Sequence, residues 1–499
     1  MNGWRSGLAR ASRLLTLALA CASTSATAQQ APALLPSAGL LADVDVLQHS
    51  YEALHPGLFR YNDAAQMRAH WLALRQSLDH DQSLADAYLA FSVFAATVRC
   101  GHTYANFFNQ PKAIRAALFE RDDRVPFQFR WLGSRMVVTR NLSTDATLVP
   151  GTEIVSINAV PVALLLERLM TIARADGSND AKRRAWLEVQ GDERIEAFDV
   201  FAPLFFPQID ARQTLVVRAP GGEGTRQVPV AALSAAQRRA NGPVEPAAAQ
   251  SPWTFDLTSP GIALLRMPTW ALYDSRWDWR SYLQQVFETL DRDRSRALVI
   301  DLRNNEGGQD VGDVLLAHLV DRELRLADPP RTVRYRRIPD ALAPYLKTWD
   351  PSFKDWGDSA VPIDDRTYRL TRFDDDAGGD LIEPALPRFT GRVFVLIGPT
   401  NSSATFQFAQ RVRQARVATL VGRTTGGNRR GINGGAFFFV QLPNSGIELD
   451  LPLIARYAGD SVPDAGIEPD VPVDTTIDDI RFGRDVEMAA FLALLREPR

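Results

Sequence analysis

Two apolar runs, each ending in a turn that bears small residues, constrain this chain more than anything else in it. The first reads ALVID from Ala297 and passes through LRNNEGG to Gly308; the second reads VFVLIG from Val393 and passes through PTNSS to Ser403. Short runs this rich in Val, Ile and Leu predict buried strands. The paired glycines Gly307 and Gly308 let bare backbone N–H groups approach a ligand. After Ser403, Phe408, Val412 and Ala415 recur at helical spacing, which predicts an amphipathic helix with the serine at its N-terminal end. A hydroxyl there lies beside unpaired N–H groups and the positive end of the helix dipole, where a developing oxyanion is best stabilised. Each feature also has an ordinary reading, since serines commonly cap helices and Gly-Gly pairs commonly make turns.

Together with LVGRTTGG (Leu420–Gly427), LPNSG (Leu442–Gly446) and GIEPDVPV (Gly466–Val473), the phrases IDLRNNEGG and NSSATFQFA resemble, in order and spacing, the tail-specific or C-terminal-processing serine peptidases. The likeness runs from Gly261 to Asp474. It implies an α/β fold with a crotonase/ClpP-like ββα catalytic core, and acyl transfer from a peptide carbonyl to a serine. The family phrase sets the reactive serine immediately before alanine, which points to Ser403 rather than Ser402. It also implies an oxyanion hole built from the N–H of Ala404 and that of Gly307 or Gly308.

Serine needs a general base. Classical members place a lysine in a TFGKG-like phrase, but the matching positions here are Thr424-Thr425-Gly426-Gly427-Asn428, and no lysine follows Lys354. The chain is more similar to the tricorn-like branch, which draws a histidine from well upstream. His102 in RCGHTYANF fits that pattern and is the expected base. His55 in HPGLF is a second candidate, with a loop-holding role as its other reading. For the carboxylate of a triad, Asp464 and Glu468 in DAGIEPD are the nearest match, although relatives place a glutamate slightly earlier, where Pro463 stands. A backbone carbonyl or hydroxyl is the alternative. Cys100 beside His102 reads as a buried, inert thiol, since sequence neighbours rarely face each other as a nucleophile pair requires.

The chain of 499 residues is too long for one ordinary core. Arg5, Arg10 and Arg13 precede the apolar run Leu14–Ala22 and the small-x-small site Ala26-Thr27-Ala28, predicting a signal peptide over 1–28 and an exported protein. Leu19-Ala20-Cys21 offers lipid anchoring through Cys21 as the alternative. A helical region is expected over 29–120 and a β-rich module over 121–233, where LVPGTEIVSINAVPV resembles the central hairpin of a PDZ-like domain. A linker is expected over 234–260, the catalytic domain over 261–485 and a C-terminal helix over 486–499.

A net charge of −3 with 23% charged residues gives no basic field for nucleic acid. The run Leu14–Ala22 is too short to span a bilayer, and no other run of about twenty apolar residues occurs. No zinc-site spacing or phosphate-binding loop occurs, so no metal or cofactor is expected. The expected partner is a peptide or unfolded protein. A peptide- or ligand-binding protein without hydrolysis, and an esterase-type acyl hydrolase, remain alternatives, because fold alone does not fix chemistry. Oligomeric state is not readable from the sequence.

Overall fold

A computed structural model describes residues 34–243, 247, 249–326, 328–373 and 381–496. The expected signal segment and Cys21 lie outside these residues. From residue 34 onward the chain forms one compact unit.

Four helices open it: α1 (Ser37–Leu54), α2 (Ala64–Ser77), α3 (Leu84–Thr97) and α4 (Lys112–Leu118). Asp63 caps α2 within a capping box shared with Gln66, and Ser83 caps α3. The β-rich module follows, with β1 (Phe127–Leu132), β2 (Arg135–Asn141), β3 (Glu153–Ile157), β4 (Val160–Pro161), β5 (Arg212–Arg218) and β6 (Thr225–Ala231) in one antiparallel sheet. Between β4 and β5 run the helices α5 (Val162–Met170), α6 (Asp180–Trp186) and α7 (Ala197–Phe205). The β3–β4 hairpin closes on Asn158 and Ala159, both at positive φ (47° and 63°).

The rest of the chain comprises α8 (Ala235–Ala240), β7 (Thr254–Ser259), β8 (Ile262–Arg266), α9 (Trp279–Arg292), β9 (Ala297–Asp301), α10 (Val311–Ala317), β10 (Leu324–Arg325), β11 (Arg331–Val333), β12 (Leu346–Lys347), β13 (Ala360–Asp364), β14 (Thr367–Leu370), β15 (Leu381–Ile382) and β16 (Arg392–Ile397). It continues with α11 (Ser403–Ala415), β17 (Thr419–Gly422), β18 (Gly431–Gln441), β19 (Glu448–Tyr457), β20 (Val471–Pro472), α12 (Ile477–Arg481) and α13 (Val486–Arg496). One sheet has the order β20-β17-β16-β9-β8-β7 and is parallel except for the β7–β8 pair. Its strands β9 and β16 are buried runs with helices α9, α10 and α11 on one face and Phe491 of α13 on the other, as a parallel sheet requires. A second sheet has the order β12-β18-β19-β11-β14-β13.

Two expectations about organisation change. The segment 234–260 is more than a linker: Ser234 caps α8, and β7 is the edge strand of the catalytic sheet. That strand is largely exposed, so it carried no apolar signal. The helical region and the β-rich module also share one continuous apolar core with β18 and β19 rather than each having its own.

Candidate active site

Parallel pairing of β9 with β16, with Ile300 opposite Val395, sends the two predicted turns out of the same carboxyl edge of the sheet. That edge is where ligands bind in open α/β sheets. Two fully buried asparagines fasten the turns together. Asn401 accepts from Gly398 N–H through Oδ1 (2.8 Å) and donates through Nδ2 to the carbonyls of Leu302 and Asn305, while its own carbonyl accepts from Gly426 and Gly427 N–H (2.7 and 3.0 Å). Asn305 donates to Met267 O (2.7 Å), and Thr405 Oγ1 donates to Asn305 O (3.0 Å).

This scaffold holds Ser403 at φ +50°, a left-handed conformation that a non-glycine residue rarely adopts, at the first residue of α11. Gly307 is pressed against it: a Cβ at Gly307 would lie 2.9 Å from Ser402 O and 3.0 Å from both Ala404 N and Ser403 Cβ. Gly308, at φ +138°, has no room for a Cβ because Trp270 O occupies the space. Ser402 Oγ is turned away and donates to Glu306 O (3.2 Å). Ser403 lines a cavity of about 1700 Å³ together with Ala404, Gly307, Gly308 and Glu306.

A second part of the lining comes from the N-terminal half. His102 lines the same cavity, and its Cε1–Nε2 edge faces Gly434 in the bulge of β18, beside Phe437 (ring centroids 5.8 Å apart). Its Nδ1 is buried without a hydrogen-bond partner among the described residues. Burial lowers the His102 pKa, and the Asp176 carboxylate partly opposes this. His55 braces the loop: Nε2 is 2.8 Å from Thr103 Oγ1 and Nδ1 accepts from Gly57 N–H (3.0 Å). Burial takes His55 down to about 3. It is a loop-holding residue, which leaves the cavity to His102.

A cluster of charges joins these two parts of the lining. Glu306 accepts from Lys182 Nζ (2.7 Å) and pairs with Arg174 (2.8 Å). Burial pushes the Glu306 carboxyl up, but the two cations outweigh it and hold it well below the usual range. Lys182 Nζ also donates to Thr400 O (3.2 Å), so this lysine reaches the nucleophile loop from the N-terminal side with its ammonium already held by two oxygens. Arg174 stacks over Tyr104, 4.5 Å from its ring centroid.

The expected acids are not at the cavity. Asp464 accepts from Ser178 N and Oγ (2.9 and 2.8 Å) and from Asn428 Nδ2 (2.6 Å), which commits both its oxygens to a loop contact. Glu468 is exposed, its chain turned outward after the buried Ile467. Gly307 needs correcting as well: its N–H donates to Asn305 Oδ1 (2.9 Å), whereas Gly308 N–H has no backbone partner among the described residues. Cys100 is buried, accepts from Asn433 Nδ2 (3.2 Å), and has its thiol pushed up to about 11 by burial.

Asn305, Asn401, Glu306, Arg174, Asp176 and Lys182 were not singled out as site residues from the sequence. Amides just after two buried strands, and one of only four lysines in an arginine-dominated chain, were the available signals. No group of three or more His, Cys, Asp or Glu among the described residues is arranged to hold a metal.

Residues 261–473 match the family model described as peptidase family S41. The chain carries a serine peptidase domain of family S41. Among solved structures, mature CPAF complexed with lactacystin aligns with a TM-score of 0.61 at 18% identity, covering 92% of this chain and 97% of that one. Mature CPAF alone gives 0.60 at 17%, covering 92% and 96%. At such identity the likeness shows a shared fold, and it extends across the N-terminal regions as well as the S41 domain. The photosystem II D1 C-terminal processing protease aligns more distantly, with a TM-score of 0.40 at 15% identity over 90% of this chain and 98% of that one. No curated protein matches the chain.

Proposed function

We propose that this S41 peptidase hydrolyses peptide bonds through an acyl-enzyme, with Ser403 as nucleophile and His102 as general base. The observation that carries the reading is the strained Ser403, held at a helix N-terminus against the Gly307–Gly308 turn in a cavity that His102 also lines. Ser403 Oγ attacks the substrate carbonyl carbon and its proton passes to His102 Nε2. The N–H groups of Ala404 and Gly308 receive the oxyanion, each donor contributing on the order of 3 kcal/mol to transition-state stabilisation. The C–N bond breaks, the amine leaves with the proton from His102, and water attacks the ester under the same base.

Lys182 is a poor base in this arrangement because Glu306 and Thr400 O already hold its ammonium. A cavity of about 1700 Å³ exceeds the roughly 300–1000 Å³ usual for small ligands and supports an extended peptide substrate over a small ester. The basic start, apolar run and Ala26-Thr27-Ala28 support export, with lipid anchoring at Cys21 as the alternative route. No described helix is long and apolar enough to cross a membrane.

The test is a fluorophosphonate serine probe on the mature protein, with the adduct located by mass spectrometry, alongside hydrolysis of unfolded protein. An adduct on Ser403, lost in Ser403→Ala and His102→Ala, is expected. Folded wild-type protein that neither labels nor cleaves would overturn the reading in favour of a binding role.

A further inference from the structure

The triad carboxylate expected near residues 464–468 is not at the cavity, yet His102 is not without one. Asp176, only 1% exposed, lies in the turn between α5 and α6, and its Oδ1 accepts from Gly101 N–H (2.9 Å). Two residues earlier, Arg174 Nη1 donates to Gly101 O (2.6 Å). One short segment therefore grips both backbone polar groups of the residue that precedes His102. The segment is itself fixed by Gly177 N–H donating to Arg99 O (2.9 Å) and Asn428 Nδ2 donating to Asp176 O (3.2 Å).

Three atoms in this arrangement are left over, among them Arg174 Nε. His102 Nδ1 and Asp176 Oδ2 are both buried without a hydrogen-bond partner among the described residues. Buried polar groups are almost always satisfied, so a pair of orphans on adjoining elements calls for an explanation. A neutral imidazole whose Nε2 is to accept the serine proton must carry its hydrogen on Nδ1, and a carboxylate oxygen is the acceptor such an N–H finds in catalytic triads. The Oδ2 atom lies close against the backbone at Gly101, 2.9 Å from where a Cβ there would be.

We infer that Asp176 is the carboxylate that orients His102, its Oδ2 accepting from Nδ1–H directly or through one water when substrate is bound. It replaces the acid that relatives supply from the segment after the serine. This inference rests on His102 being the base. The Tyr61 hydroxyl and Arg174 Nε, both also buried without a partner among the described residues, are the competing donors to Oδ2. The charged groups acting on the imidazole are Asp176, Arg174, Glu306 and Lys182. Asp176 is the largest of these influences, and it favours the protonated ring. Asp176 touches no reacting atom, so its role is that of a positioning residue.

The decisive variant is Asp176→Asn, which keeps an Oδ1 acceptor for Gly101 N–H but removes the charge. Six histidines in the chain make the imidazole signals separable by NMR, with His102→Gln assigning the site. The expected result is a drop in kcat on the order of 10²–10⁴-fold with little change in KM. The His102 titration and the acidic limb of kcat/KM should both move to lower pH, because a neighbouring negative charge has been lost. Asp176→Glu should recover part of the rate, and Glu468→Gln should leave the profile unchanged. An unshifted His102 titration and a rate within twofold of wild type in folded Asp176→Asn would overturn the inference. Failure of the underlying reading has a different signature: His102→Gln would then cleave and label normally, while the NMR titration would still report whether Asp176 and His102 are coupled.

Discussion

The two walls of the cavity are built on different physical principles. The nucleophile wall is made of backbone: two parallel strands, a positive-φ serine, two positive-φ glycines and two buried asparagines that join the loops. The wall that carries His102 is held by side-chain charge: Asp176 and Arg174 grip Gly101, and Arg174 and Lys182 reach across to Glu306 of the nucleophile turn. Backbone geometry fixes where an oxyanion forms and is insensitive to pH. The charge cluster sets the protonation and orientation of the base, and it does respond to pH and to single charge changes.

The largest effect tests whether both walls are needed. Ser403→Ala and His102→Ala should each remove at least about 10⁴-fold in kcat/KM while far-UV dichroism and Tm stay near wild type, and the double variant should be no worse than either single one. Additive losses would show that the walls do not act as a unit. Next, Gly308→Ala attacks the nucleophile wall alone. The methyl has no room against Trp270 O and the φ of +138° is closed to alanine. Moving that N–H should cost on the order of 10²–10³-fold in kcat. A fully active Gly308→Ala would remove it from the oxyanion hole.

Smaller effects sharpen the contrast. Asn401→Ala deletes a fully buried amide that bonds both loops, and should cost about 2–4 kcal/mol in denaturant unfolding together with a clear loss of kcat. Lys182→Met leaves Glu306 its partner Arg174, so it should cost only about 1–3 kcal/mol. It should also raise the pH at which Glu306 protonates. Equal losses of kcat in the two variants would erase the distinction between a backbone-built and a charge-built wall.

The last effect is a pH slope, small within any one pH unit. His55 has its pKa lowered from 6.5 to about 3 by burial, so between those values the unfolded chain binds a proton that the native state does not. Stability should therefore fall as pH drops below about 6.5, by at most about 1.4 kcal/mol per pH unit from this residue. Urea unfolding of wild type and His55→Gln across that range measures it, and identical slopes would mean that His55 titrates normally in the folded protein.

The strand runs at Ala297 and Val393 and the helix after Ser403 were legible because burial on both faces leaves a continuous apolar signature, and a helix leaves a periodic one. The edge strand β7 was not, because an exposed edge carries no such signature. The acids Asp464 and Glu468 were chosen by their place in a phrase. One is tied to Ser178 and Asn428 and the other faces solvent, and neither arrangement is encoded by local pattern. Gly307 and Gly308 look equivalent as letters, yet the Asn305 side chain takes the N–H of one and leaves the other.

The sequence by itself determined the elements that depend on local physics: which runs must be buried, where a chain free of Cβ atoms can turn tightly, and that a serine begins a helix beside that turn. Only the tertiary structure decided which groups meet there. His102, Arg174, Asp176 and Lys182 lie more than a hundred residues from the nucleophile; the last three are brought to its loops because the helical excursion between β4 and β5 folds back onto the catalytic sheet, and His102 sits on the loop between α3 and α4 that this excursion grips at Gly101. Contacts of that range are chosen by the shared apolar core and by the cost of leaving buried charges unpaired, and neither acts within the window of a local motif.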